Sequence, residues 1–129
     1  MKKIERKKRK TETFDIEGSK FEVDVSTKNV KEAILKGHEL QEMGKKIEEM
    51  PFGSTKEEQL KAVEEMENLL WHTTDYVLGD GSFDILYPKA EEDIFTLGDW
   101  IFQVIDHLYD LQQKEAEKQK AKYVKNRKR

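Results

Sequence analysis

Asp80, Ser82 and Asp84, with Glu91 further on, stand at the first, third, fifth and twelfth positions of a calcium-loop template, between two helical patterns. Oxygen ligands so spaced could hold a hard divalent cation. Against this, Ile85 fills the sixth position, where the loop turns sharply on glycine, and Pro88 fills the ninth. A β-branched residue resists the positive φ such a turn requires. A helix-capping loop is the expectation, with no metal.

His38, His72 and His107 share no short spacing, and His72 with Asp75 forms an i, i+3 pair on a helix. Two ligands do not complete a zinc site; a third would have to arrive through the fold. Carboxylates are too abundant for a pair of them to signal general acid and base. No glycine-rich phosphate loop is present, nothing places Ser, His and Asp as a triad, and there is no cysteine to act as nucleophile or disulfide. The expected protein is not an enzyme and carries no cofactor.

Charge is the stronger signal. The 129 residues sum to −3, yet residues 1–10 hold seven Lys/Arg against Glu5 and residues 114–129 hold eight against Glu115 and Glu117. Each tail is therefore +6, and the body, 11–113, is −15. Basic tails can neutralise nucleic-acid phosphates. So acidic a body would repel the same backbone, and Tyr123 is the only tail aromatic available for stacking on bases. Contacts between protein copies, or with a protein partner, are favoured over nucleic acid, which stays as the alternative.

These residues need elements to hold them. Charged residues make up 40% of the chain and hydrophobic ones 36%, so apolar residues must cluster periodically to form a core. Phe14 and Ile16 alternate with acids, Gly18-Ser19 offers a turn, and Phe21, Val23 and Val25 alternate again, which predicts a β-hairpin with one apolar face. A lone hairpin is marginal, so that face must lie on helices.

Ser26 or Thr27 can cap a first helix reaching about Met50, with Val30, Ile34, Leu40, Met43 and Ile47 near one side. Gly37 and Gly44 lie on nearly the same stripe, marking either weakness in the helix or close approach of another. Pro51-Phe52-Gly53 breaks the pattern. Ser54 or Thr55, followed by Glu57 or Glu58, resembles a capping box that opens a second helix running to Gly79 through Leu60, Val63, Met66 or Glu67, Leu70 and Val77. Trp71 and Tyr76 are expected to widen its buried face.

The stretch 79–88 is too apolar for a plain loop and is read as a short helical turn plugging the end of the bundle, with Phe83, Leu86 and Tyr87 inward. Ile94, Leu97, Ile101, Val104 or Ile105, Leu108 and Leu111 mark the strongest helix, enlarged by Phe95, Trp100, Phe102 and Tyr109. Past Leu111 good helix formers continue with no apolar stripe, so that end should project, fray, or become ordered on a partner. The fold class is mainly α with a small N-terminal β-hairpin (α+β), a bundle of about three helices. It has one domain at 11–113 between a disordered basic tail at 1–10 and a basic helical extension or tail at 114–129.

No apolar run reaches the roughly 18 residues that span a bilayer, and the charged start lacks a signal peptide's apolar segment. A cytoplasmic, non-membrane protein is expected.

The N-terminal hairpin, the helices, the glycine-rich turn with Phe-Asp-Ile-Leu-Tyr-Pro at 83–88 and the helix from Asp93-Ile94-Phe95 to Ile105 together resemble a tail assembly chaperone of long-tailed bacteriophages or a related prophage protein. The resemblance covers roughly residues 12–111 and rests on layout. It implies a non-enzymatic protein of the host cytoplasm that binds the tape measure protein, shields its apolar helices, helps recruit tail tube protein, and is absent from the mature virion. In that family a translational frameshift often adds a C-terminal extension to a minority of copies, and the basic end Lys125-Asn126-Arg127-Lys128-Arg129 is compatible with A-rich slippery codons.

Such a chaperone needs an exposed apolar groove, for which Trp71, Tyr76, Trp100, Phe102 and Tyr109 are the candidates. The competing expectation is that these five belong to the core. Complementary charge blocks would further suit self-association along an extended client.

Overall fold

The computed structural model describes residues 1–5, 10–51 and 53–127, with side chains as far as Val124. Two strands, β1 (Thr11–Ile16) and β2 (Ser19–Asp24), pair antiparallel with Phe14 opposite Phe21. Their turn is Glu17-Gly18, not Gly18-Ser19 as the sequence suggested, because Ser19 already pairs with Ile16. Both turn residues have positive φ, 50° and 87°, the requirement of the two-residue turn whose twist matches that of the strands. The Asp15 carboxylate accepts the Gly18 N–H (2.9 Å) and fixes it. At the base, Val25 N–H donates to the Lys10 carbonyl (3.2 Å), so the hairpin begins one residue inside the stretch read as tail.

Helix α1 (Thr27–Glu48) starts where the Ser26 hydroxyl accepts the Asn29 N–H, and α2 (Lys56–Leu78) where Thr55 accepts the Glu58 N–H at 3.1 Å. Glu57 and Glu58 add favourable charge to the positive end of α2. The apolar stripe of α2 engages later than its periodicity implied. Leu60 is 61% exposed, because the first turns of α2 lie outside the packed region, and burial begins in earnest at Met66.

A short helix, α3 (Ser82–Lys89), closes the end of the bundle with Phe83 and Leu86 buried, Tyr87 half-buried and Ile85 exposed. No side chain at Gly81 caps it. Asp75 does so from α2, accepting the Phe83 N–H at 2.9 Å. Lys89 then ties α3 to the hairpin turn, donating to the Glu17 carbonyl (2.9 Å) and the Ser19 hydroxyl (2.6 Å).

Helix α4 (Ile94–Arg127) runs about 51 Å at 1.5 Å per residue. Asp93 opens it by accepting the Phe95 N–H (2.9 Å) and the Thr96 hydroxyl (3.0 Å). Leu97, Ile101 and Leu108 of α4 meet Leu40, Leu70 and Leu86 among the least exposed side chains of the core. Beyond Glu115 every described side chain, as far as Val124, is exposed, so this part of α4 projects from the bundle. The disorder expected for residues 1–10 falls partly outside the described residues. Met1 to Glu5 have no regular structure.

Candidate protein-binding surface

Gly37 brings α1 and α4 close. A β-carbon there would stand 3.3 Å from Ile105 Cδ1, so the helices meet through a missing side chain. Gly44, the second candidate for close approach, has nothing within 4 Å of that position. Beside the Gly37 crossing a depression of about 350 Å³ opens between the two helices. Ile34, Gly37, His38 and Gln41 of α1 line one side, and Phe102, Ile105, Asp106 and Tyr109 of α4 the other.

Its chemistry is an apolar floor with a polar rim. Ile105 is buried, Ile34 and Phe102 are half-buried, and His38, Gln41 and Asp106 are exposed around them. Tyr109 is 48% exposed. Phe102 and Tyr109 are seven residues apart on α4, two turns of one face and about 10.5 Å along the axis. A second helix laid over them would present its own residues at that same spacing.

The other three candidates lie outside this depression. Trp71, 43% exposed, does not widen the buried face of α2; it stacks on Phe83 (5.5 Å), which stacks on Tyr87 (4.8 Å). The inward arc of α2 is filled instead by Met66, Leu70, Thr73, Thr74 and Val77. Tyr76 is exposed likewise and lies under the Lys36 ammonium, 5.0 Å from the ring centroid. Trp100 is half-buried and lines a separate depression beside β1. A single groove formed by all five aromatics is thus replaced by one α1–α4 depression that holds two of them.

No family model, no curated protein and no solved structure matches this chain.

Among the candidate metal ligands, Ser82 donates its hydroxyl to the Gly79 carbonyl at 2.6 Å inside the first turn of α3, where Asp84 also sits. A helix in place of a loop keeps Asp80, Asp84 and Glu91 from wrapping one ion. Asp75, paired in sequence with His72, is occupied in capping α3. His107 joins α4 to the hairpin, edge-on to Phe14 (5.5 Å) and 3.4 Å from a Glu12 carboxylate oxygen. Among the described residues no helix is long and apolar enough to cross a membrane.

Periodicity puts Ile34 and either Val104 or Ile105 on inward stripes and gives His38 no binding role. Gly37 was the available signal, since a glycine in mid-helix requires a reason such as a close neighbour.

Proposed function

We propose that this chain is a non-enzymatic binding protein that takes an apolar helix of another protein into the α1–α4 depression. The observation that carries the proposal is the placing of Phe102 and Tyr109 on one face, two turns apart, over the Gly37 crossing. A client helix could seat residues i and i+7 there and find hydrogen-bonding groups at the rim in His38, Gln41 and Asp106.

Shielding of apolar helices is what the resemblance to a tail assembly chaperone implies. Under this reading the client is an apolar helix of a tape measure protein, tail tube protein joins later, and the chain acts in the host cytoplasm without entering the virion. The layout of hairpin, glycine-rich turn and long helix supports it. The test is co-expression with the long helical protein encoded by a neighbouring gene. A soluble complex lost on Tyr109→Lys is expected, and failure to co-purify at low salt counts against it.

The nucleic-acid alternative draws on Lys114, Lys118, Lys120 and Lys122, all exposed on the projecting end of α4. It predicts a gel shift that disappears when these four become Glu.

A further inference from the structure

Among the described residues, β1 has β2 on one side and no strand on the other. The register fixes which backbone groups face the open side. The hairpin closes at Ile16 opposite Ser19, and at its base Val25 N–H bonds to the Lys10 carbonyl (3.2 Å). Hydrogen-bonded pairs therefore alternate through Ile16, Phe14, Glu12 and Lys10. The N–H and C=O groups of Thr11, Thr13 and Asp15 point away from β2.

A depression of about 510 Å³ follows this edge, touching every residue from Glu12 to Glu17 and walled by Trp100 and His107 of α4. Because it is lined by consecutive residues, it tracks the backbone edge and not one face of the strand. Such an edge is a template for an added strand.

Charge selects the occupant. Glu12, Asp15 and Glu17 line the edge. A second β1 would set these acids against their own copies, and like charges across strands repel. Residues 1–9, the part of the basic N-terminal stretch outside the hairpin, carry +5. Fully extended, these nine span about 30 Å, more than the roughly 20 Å of β1. Met1 to Glu5 of the same copy form no strand beside β1 and leave Ile4 90% exposed, so they do not cover the edge of their own copy.

We infer that the free edge of β1 receives the basic N-terminal segment of a second copy of this chain as an added strand. This surface is separate from the α1–α4 depression and does not rest on the proposed client.

Sedimentation equilibrium of the full chain at low and high salt tests it, with three variants. Thr13→Pro removes an outward N–H without touching the ladder to β2. The tail variant carries Lys2→Glu, Lys3→Glu, Lys7→Glu and Lys8→Glu together, and the edge variant carries Glu12→Gln with Glu17→Gln, leaving the Asp15 cap of the turn in place. Wild type should self-associate, more weakly at high salt, and each variant alone should weaken association about tenfold or more. Tail and edge variants mixed should associate with each other. A wild type that stays monomeric at every concentration overturns the inference, as does association that neither the tail nor the edge variant changes. If Thr13→Pro fails to fold, the two charge variants decide.

Discussion

Gly37 and Ile105 set the distance between α1 and α4: the isoleucine Cδ1 occupies space 3.3 Å from where a β-carbon of residue 37 would stand. Filling that space must push the helices apart or distort Ile105, in a core with little room to relax. Gly37→Leu should therefore destabilise the fold by about 1–3 kcal/mol. Gly44→Ala, on the same helix with nothing within 4 Å, should stabilise it by about 1 kcal/mol through helix propensity alone. Denaturant unfolding of the two variants checks this, and effects of the same sign would refute the assigned crossing.

Thr73 and Thr74 lie fully buried on α2, and their hydroxyl oxygens have no hydrogen-bond partner among the described residues. A buried hydroxyl without a partner loses its hydration uncompensated, and valine has nearly the same shape. Thr73→Val and Thr74→Val should each raise stability by about 1 kcal/mol. Thermal melts that fall for both would show that the hydroxyls are satisfied in solution.

Tyr87 gives the fold an alkaline limit. Burial, then the nearby Glu67 carboxylate, with Glu92 and Asp93 behind it, raises its phenol above the usual tyrosine value. The folded state thus favours the neutral phenol. That contribution to stability is complete below the unfolded value of about 10 and is lost as pH rises through the raised one. Tyr87→Phe should flatten the alkaline decline of Tm. Parallel declines in wild type and variant would show that the phenol contributes nothing to it.

Much of this architecture is legible in the residues. The alternation around Phe14 and Phe21, the caps Ser26 and Thr55, and the stripe from Ile94 to Leu108 each express a local rule, and the structure follows them. Where local rules were silent, position had to come from tertiary contacts. Glu91 and Glu92 both take positive φ, 56° and 57°, between α3 and α4, although glutamate carries no signal for that conformation. On α2 two threonines fill the arc facing the core while Trp71 and Tyr76 turn outward. Hydrophobicity alone ranks those four residues the other way round.

The candidate site was legible in kind and not in place. The spacing of Phe102 and Tyr109 shows aromatics with a face to offer, but their neighbours on α1 depend on how two helices cross, which no single-helix pattern states. Gly37 hinted at the crossing without naming Ile105.

The central claim is that the Phe102–Tyr109 face seats a client helix, and Tyr109→Lys tests it most directly. Tyr109 is nearly half exposed, so the change should leave the thermal melt within about 1 kcal/mol of wild type while placing a charge on the apolar face. The measurement is co-purification of the neighbouring-gene helical protein with wild type and with the variant at equal expression. The account predicts a complex with wild type and at least about a tenfold loss with Tyr109→Lys. An equally stable complex from both would contradict it.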